Sequence, residues 1–264
     1  MCREYLGDSF DLHSGGIDLM FPHHENEIAQ SEACTGHVLA DHWFHLTHLL
    51  VDGGKMSKSA GNFYTLDQVE KAGFRPADLR YVLIAAHYRQ PLNFVARDDQ
   101  GGESFPALQG ARQALLKIAK MAEALSAVSG ATALDYDSAR QQPITGPFAP
   151  AFAALADDLN TPDALGQMFT AFRSLKPAEM TSAAATEAYH GLQVLMFALG
   201  LELPPVGEAE QTPIPEAIAA LAEARWQAKA AKNWPESDRL RDAVLAEGWE
   251  IKDTKEGYTL CPKA

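Results

Sequence analysis

The chain has 264 residues, of which 47% are hydrophobic and 22% charged, a composition typical of a globular protein with two or three small domains. Its net charge of -13 argues against a surface that is basic throughout, but it is compatible with a local basic cluster. No apolar run is long enough to span a membrane, and the first residues lack the apolar segment of a signal peptide. We therefore expect a cytoplasmic protein with no membrane partner.

The first part of the chain alternates short apolar runs with turn residues, which indicates α/β structure. SFDLHSGG, residues 9–16, predicts a strand that ends in a loop, and PHHENEIAQSEA, residues 22–33, predicts a helix with Pro22 in its first turn. HWFHLTHLLVDGG, residues 42–54, predicts a strand or a buried segment closed by a glycine pair. TLDQVEKAG, residues 65–73, predicts a further helix whose first residue is a plausible cap.

From about residue 79 onward, apolar residues recur at helical spacing between loops rich in Pro, Gly and Asp. Five such segments predict a helical bundle: residues 77–88, 105–128, 147–160, 162–175 and 187–201. A proline-containing linker and a charged pair of helices follow. The last segment, WEIKDTKEGYTL at residues 249–260, predicts a two-stranded hairpin that turns at residues 255–257.

The pentapeptide KMSKS, residues 55–59, places two lysines and two hydroxyl groups in a loop after a glycine pair. A lysine near a triphosphate can neutralise the charge that develops as pyrophosphate leaves. A solvated basic turn is the plainer explanation of a lone K-x-S-K. The full pentapeptide, followed by Gly61 and Asn62, favours a functional loop with Lys55 and Lys58 as catalytic candidates.

A second motif, FPHHENEIAQSEA at residues 21–33, carries three groups that could bind a metal: His23, His24 and Glu27. His23 and Glu27 are spaced so that both project from one face of a helix. Without further evidence, a His and a Glu at this spacing are more often a pair on the helix surface with no special function.

Several aromatic and histidine residues have a plainer interpretation than function. Trp43, His45 and His48 are interpreted as packing residues with polar tips. Three tryptophans in the last part of the chain could stack on bases, but core packing is the favoured interpretation: Trp226, Trp234 and Trp249.

KMSKS together with GGIDLMFPHHENEIAQSEA, residues 15–33, resembles the class I aminoacyl-tRNA synthetases, and most closely the cysteinyl-tRNA synthetase family. The similarity is dense over residues 10–63. It continues more loosely through DDLNTPDALGQMF, residues 157–169, and through residues 231–257. The resemblance thus covers nearly all of this chain.

The resemblance implies a mixed α/β and α fold in three domains. Residues 1–75 correspond to a partial, Rossmann-like class I catalytic domain with the KMSKS loop. Residues 76–204 correspond to a helical bundle like the tRNA-contacting DALR-type domain, and residues 205–264 to a small α+β domain like the anticodon-binding domain. The H-x-G-H-type signature that binds ATP and two zinc-binding cysteines of the family have no counterpart here, so we expect the C-terminal part of a synthetase, lacking the N-terminal half of the catalytic domain.

The same resemblance assigns roles to individual residues. His23 and Glu27 match two zinc ligands, and in the family zinc receives the substrate cysteine as a thiolate, which a serine hydroxyl cannot imitate. His13 matches a residue near the substrate amino acid. Three residues are assigned to ATP: Gly16, Asp18 and Lys58. Five basic residues are expected on or beside one helical face, in contact with the tRNA backbone: Arg225, Lys229, Lys232, Arg239 and Arg241.

The expected function is that of a cysteine–tRNA ligase or a C-terminal portion of one, which activates cysteine with ATP and transfers it to tRNA. We expect the chain to be inactive alone and to need an N-terminal half or a homo-oligomer partner, so its status as an enzyme stays open. The alternative is a non-catalytic truncated synthetase paralogue that binds tRNA or a protein partner. A third possibility, a thiol-ligase relative acting on a small amine, is disfavoured because such an acceptor has no use for the C-terminal domains.

Overall fold

The computed structural model describes residues 2–57, 59, 61–97, 102, 104–143, 145–205, 216–231, 233–247, 249–253 and 257–262. The chain divides into two compact units, Met1–Pro204 and Pro205–Ala264. Within the described ranges the fold is helix-rich with small sheets, in agreement with the expected mixture of α/β and α structure. No helix in these ranges is both long and apolar enough to cross a bilayer.

The described secondary structure consists of helices of different lengths and three small sheets. The helices are α1 (Cys2–Leu6), α2 (Glu25–Thr35), α3 (Leu66–Lys71), α4 (Pro76–Ile84), α5 (Pro106–Ser129), α6 (Tyr136–Gln141), α7 (Ala149–Ala156), α8 (Thr161–Ser174), α9 (Ser182–Leu199), α10 (Glu216–Ala230) and α11 (Trp234–Ala246). The strands are β1 (Phe10–Gly16), β2 (Ala40–Leu46), β3 (Leu49–Val51), β4 (Gly54–Lys55), β5 (Leu92–Phe94), β6 (Trp249–Asp253) and β7 (Tyr258–Pro262).

Strands β1 and β2 form a parallel pair whose register runs from Phe10 opposite Ala40 to Gly16 opposite Leu46. Parallel strands need a crossover connection, and α2 provides it. The prediction that Pro22 lies in the first turn of a helix agrees with the structure, because the helical turn Met20–His24 leads directly into α2 and only Phe21 within it has non-helical backbone. The residue before a proline is pushed toward extended backbone, and Phe21 accordingly has φ -138° and ψ 132°.

A second small sheet has the order β4-β3-β5. Strands β3 and β4 are antiparallel and joined by Asp52 and Gly53, which both have positive φ (49° and 77°), as a tight hairpin turn requires. Strands β3 and β5 are parallel. The segment predicted as one strand or buried run is therefore split between β2 in the first sheet and β3 in the second, and it reaches the start of β4 at Gly54. Val51, the last residue of β3, is fully buried.

The predicted helical bundle is present, with α5, α7, α8 and α9 packed around a common core. Phe148, which precedes α7, is fully buried in that core and contacts the ring of Phe172 edge to face. The long helix α5 supplies the core residues Leu115, Ile118 and Leu125 at helical spacing.

In the second unit, β6 and β7 form the predicted antiparallel hairpin, and residues 255 and 256 of its predicted turn lie outside the described residues. Trp249 is buried against Ile218 and Val244, which confirms its interpretation as a core residue. Trp234 is 56% exposed, so the same interpretation is wrong there. Trp234 is the first residue of α11, where one side of the ring has no neighbouring turn to cover it.

A buried carboxylate joins α4 to the start of the bundle. Asp78 is completely buried and accepts hydrogen bonds from the Arg75 backbone N–H at 2.9 Å and from the Arg112 guanidinium at 3.2 Å. Arg112 also donates to the carbonyl of Gly73 and lies over the ring of Phe74, 4.5 Å from its centroid. The two helices are thus held together by a charge that has no access to water.

We predict that Asp78→Ala lowers the free energy of unfolding by about 3 kcal/mol or more, because it leaves a largely buried guanidinium without its carboxylate. The control is Asp67→Ala, which removes an exposed ion pair with Lys71 and is expected to cost less than about 1 kcal/mol. Urea denaturation of both variants measures the difference. Equal small losses would contradict a structural role for Asp78.

Candidate functional site

A cluster of histidines lies on one face of the β1–β2 pair. The register places His13 opposite Trp43 and Gly15 opposite His45. Because alternate residues of a strand point to the same face, these four residues share one side of the sheet. The turn Met20–His24 and the first turn of α2 contact the same side.

The rings of the cluster are in direct contact. His13 stacks on Trp43 with 4.6 Å between ring centroids, and its Nε2 lies 2.9 Å from Glu27 Oε2. His24 Nδ1 and His45 Nε2 share a hydrogen bond of 2.8 Å. His24 is buried, with 3% of its surface exposed, whereas Glu27 is half-buried. The site therefore has a dry inner part and an accessible carboxylate.

Two neighbouring glycines make this packing possible. A Cβ atom on Gly15 would lie 2.7 Å from Cε1 of His24, so a side chain at this position would displace the buried ring. A Cβ atom on Gly16 would collide with the carboxylate of Asp18. Two of the three residues assigned to ATP, Gly16 and Asp18, are thus adjacent, and the Asp18 side chain is exposed.

The buried position of His24 affects its protonation. Burial lowers the pKa of His24 below 6.5, and the nearby His13 and His45 lower it further. A neutral imidazole at this position can accept a hydrogen bond or donate a lone pair to a metal.

Three possible metal-donor groups meet in the cluster. One ligand atom each from His13, His24 and Glu27 lies within 4.8 Å of the other two. The predicted ligand His23 lies on the outer side, 58% exposed, with Nε2 3.8 Å from Glu27 Oε1. Glu27 thus faces His13 with one oxygen and His23 with the other. Imidazole nitrogen and carboxylate oxygen are donors that zinc accepts, so the residues present fit that ion.

The opposite face of β2 is held by the bundle. Phe44 stacks on Tyr88 with 4.2 Å between centroids, and the Tyr88 hydroxyl donates to Asp158 at 2.5 Å. Arg89 donates to the same carboxylate at 2.6 Å. The Arg89 and Tyr88 hydrogen bonds lower the pKa of Asp158 to about 2. Asp158 and Leu159, in the turn between α7 and α8, both have left-handed backbone, with φ 54° and 52°.

The KMSKS segment is organised by Asn62. Its side-chain oxygen accepts the Ser57 backbone N–H at 2.8 Å, and its amide nitrogen donates to the Lys55 carbonyl at 3.1 Å. Lys55 is exposed at the end of β4, and no hydrogen bond or ion pair between described residues joins it to the histidine cluster. Lys58 lies outside the described residues.

The five basic residues assigned to tRNA have different environments. Arg225 is buried, with 6% of its surface exposed, and Lys229, on the same helix α10, lies over the Trp226 ring at 5.5 Å. Arg239 and Arg241 on α11 are exposed, and each pairs with a carboxylate on its own helix, Arg239 at 2.6 Å and Arg241 at 3.3 Å. Lys232 lies outside the described residues. Arg225 therefore does not share the exposed surface expected for the group.

Sequence reasoning missed part of the cluster. It interpreted Trp43 and His45 as packing residues, and both do pack against His24, but it did not group them with the histidine cluster. His48, interpreted in the same way, is exposed. A signal for this grouping is present in the sequence. Trp43 and His45 are two residues apart, as are His13 and Gly15, and residues two apart on a strand point to the same face.

Comparison with known proteins confirms the resemblance indicated by the motifs. Residues 1–100 match the family model of the class I (C) tRNA synthetase catalytic domain. The cysteine–tRNA ligase of Opitutus terrae is 44% identical over 264 residues, which are 99% of this chain and 50% of that relative. The corresponding values for the cysteine–tRNA ligase of Stutzerimonas stutzeri are 40%, 96% and 52%. The chain thus spans about half the length of the curated relatives it matches.

Solved structures give more distant matches. The LeuRS of Agrobacterium radiobacter K84, in a ternary complex with tRNA and LeuAMS, aligns with a TM-score of 0.49 and 17% identity over 72% of this chain and 25% of that one. The methionyl-tRNA synthetase of Mycobacterium tuberculosis aligns with a TM-score of 0.42 and 18% identity over 71% of this chain and 40% of that one.

We predict that His24 makes the fold less stable in mild acid. Its pKa in the folded protein lies below the ordinary 6.5. The neutral ring therefore makes its full contribution to the free energy of unfolding only at a pH above 6.5. As the pH falls from about 7.5 to about 5.5, the unfolded chain binds a proton that the folded chain resists, and the free energy of unfolding decreases. His24→Gln should flatten this decrease in urea denaturation series. Parallel pH curves for the parent and the variant would contradict the prediction.

Proposed function

Because the chain resembles the cysteinyl-tRNA synthetases, a class I family, we propose that it is a portion of a cysteine–tRNA ligase. In this proposal residues 1–75 are part of a Rossmann-like catalytic domain, residues 76–204 a helical bundle of the DALR type, and residues 205–264 a small anticodon-binding domain. The observation that carries it is the histidine cluster, in which the β1–β2 register places His13 and His45 beside His24 and Glu27 of the motif that gives the resemblance. The reaction is ATP-dependent activation of cysteine, followed by its transfer to tRNA.

The residues of the site have distinct roles in this reaction. Gly16 lets the chain approach the nucleotide closely, and the exposed Asp18 carboxylate accepts hydrogen bonds from hydroxyl groups of the adenosine ribose. His13, held between Trp43 and Glu27, faces the substrate amino acid. Lys55 and Lys58 balance the charge that develops as pyrophosphate leaves.

His23 and Glu27 would hold zinc, which supplies a soft Lewis acid that binds a thiolate and discriminates against a hydroxyl. The accessible Glu27 carboxylate and the exposed His23 ring support this assignment. The buried His24 and the half-buried His45 lie next to them, and their mutual hydrogen bond fixes the orientation of both rings.

The exposed surroundings of β1 and β2 support a need for a further polypeptide. Parallel sheets normally occur with both faces covered by other elements. The sheet of β1 and β2 has only two strands among the described residues. Large apolar side chains beside it are open to solvent, among them Phe21 (77% exposed) and Val38 (59%). A partner, either an N-terminal half or a second copy, could add strands to this sheet and cover these side chains. It would thereby remove the open sheet edge and the exposed apolar surface.

The alternative is a non-catalytic synthetase paralogue that binds tRNA or a protein through its helical domains. The burial of Arg225 and the pairing of Arg239 and Arg241 with their own helix argue against tRNA contacts at these three residues, for the ligase as much as for the paralogue. The intact packing of His13, Gly15 and His24 favours the ligase, because a chain without that function has no need for a glycine fitted to a buried histidine.

We predict that the purified chain alone shows no cysteine-dependent pyrophosphate exchange at synthetase rates. Holding ATP in line with a carboxylate is worth roughly 7 to 11 kcal/mol, and the chain supplies only part of the necessary contacts. Adding the polypeptide that corresponds to the other half of the Opitutus terrae relative should restore exchange. In that mixture Lys58→Ala should lower exchange far more than it weakens cysteine binding, whereas the control Lys71→Ala should match the parent.

Exchange by the chain alone at ordinary synthetase rates would contradict the need for a partner. A mixture that binds tRNA but never exchanges pyrophosphate would favour the paralogue instead.

A separate prediction concerns tRNA. Lys229→Glu together with Lys232→Glu should weaken tRNA binding and lower the slope of log affinity against log salt by about two, because each phosphate that a lysine neutralises contributes about one to that slope. The matched control reverses two exposed charges elsewhere, Lys71→Glu with Arg140→Glu. Filter binding at several salt concentrations measures both. An unchanged affinity and slope would return these lysines to the interpretation of a solvated face.

A further inference from the structure

The bundle carries an open groove of about 530 Å³ that the proposed reaction does not use. Its floor is apolar and half-buried, with Met121 and Ala124 from α5 and Phe169 and Phe172 from α8. Pro177, in the short helical turn after α8, also lines the groove. On each helix the lining residues are three or four positions apart, so two helical faces converge on the groove.

The rim of the groove is positively charged. Lys117, Lys120 and Arg173 are exposed along it, and the described lining includes no acidic side chain. Among the described residues, no ion pair engages any of these three cations, and Arg173 has a hydrogen bond of 3.4 Å to the Thr170 hydroxyl. Elsewhere in the first unit, Met1–Pro204, Lys71 pairs with a carboxylate one helical turn away and Lys176 with one three residues away. The chain as a whole has 35 acidic and 22 basic residues, so the positive charge along this rim is opposite to the net charge of the protein.

The shape of the groove indicates the kind of ligand. Pockets for small molecules enclose most of the ligand surface, and this groove is too open to do so. An amphipathic helix, in contrast, buries only one face, through apolar anchors at i, i+3 and i+4. A groove between two helices, apolar along its floor and charged along its rim, has the form that such a helix requires.

The aromatic floor is less suitable for nucleic acid. Bases bind single-stranded sites by stacking on open ring faces. Phe172 instead contacts Phe148 edge to face at 88° and Phe169 edge to face at 86°, so these rings are engaged with each other and with the core. Three cations above an apolar floor match carboxylates that flank apolar anchors better than a continuous phosphate backbone.

We propose that the groove between α5 and α8 binds an acidic amphipathic helix of another polypeptide. The anchors of that helix contact Met121, Phe169 and Phe172, and its carboxylates pair with Lys117, Lys120 and Arg173. The groove and the histidine cluster have no residue in common, so this interaction does not depend on the catalytic site, although the groove lies in the bundle that the proposed function assigns to tRNA contact.

The test uses the full chain and a synthetic probe. The probe is a fluorescent, end-blocked peptide of about four helical turns with Leu and Phe at i, i+3, i+4 and i+7 and with Glu and Gln elsewhere. Fluorescence anisotropy should show saturable binding. Lys117→Glu with Lys120→Glu should weaken it at least about tenfold, whereas the charge-matched control, Lys71→Glu with Arg140→Glu, should change it less than about twofold.

A second variant tests the floor without removing a core side chain. Ala124→Phe fills the groove and should also weaken binding at least about tenfold, and circular dichroism checks that each variant is folded. A scrambled peptide of the same composition should bind at least about tenfold more weakly than the probe, because it lacks the helical stripe.

Three outcomes would overturn the proposal. The first is the absence of saturable binding of the probe. The second is a lack of selectivity, seen either as equal affinity for the scrambled peptide and the probe or as unchanged probe affinity in both groove variants. The third is displacement of the probe by single-stranded RNA at equal concentration, which would make the groove a nucleic-acid contact.

Discussion

The parallel register of β1 and β2 is the constraint on which the candidate site depends. It brings His13 beside Trp43 and Gly15 beside His45, and the space above Gly15 then admits the ring of His24. A shift of one residue in either strand would turn its side chains to the other face and separate the rings. The chemistry of the site therefore depends on backbone pairing before it depends on any single side chain.

Strand β2 also joins the site to the rest of the unit, because its two faces have different partners. Trp43 and His45 contact the histidines, whereas Phe44 stacks on Tyr88, which is bound to Asp158 of the bundle. A buried carboxylate performs a comparable task between α4 and α5, where Asp78 is enclosed by two arginines. Asp158 therefore connects the bundle to β2 through Tyr88, and Asp78 holds Arg112 of α5, which also donates to the Gly73 carbonyl before α4.

The sequence predicted the elements with strong periodicity, including the bundle, β1 and the β6–β7 hairpin, because these patterns follow from local geometry. It did not predict the roles of Trp43 and His45, since the two strands that group them are separated by a helix. The helical backbone after Phe21 was also predicted, because the restriction on the residue before Pro22 and the helical pattern after it both follow from local geometry. The burial of Arg225 was missed because a charged residue on a helix is usually exposed, and only the tertiary fold shows which face packs.

The turn between α7 and α8 has a thermodynamic consequence. Left-handed backbone at Asp158 and Leu159 costs roughly 1 to 2 kcal/mol per residue, so the turn persists only while other contacts offset that cost. Tyr88 and Arg89 provide such contacts, and Tyr88 in turn carries Phe44. The conformations of the turn and of β2 are therefore energetically coupled. By reciprocity, a ligand that binds one conformation of the turn preferentially changes affinity at β2 by the same factor as a β2 ligand changes affinity at the turn.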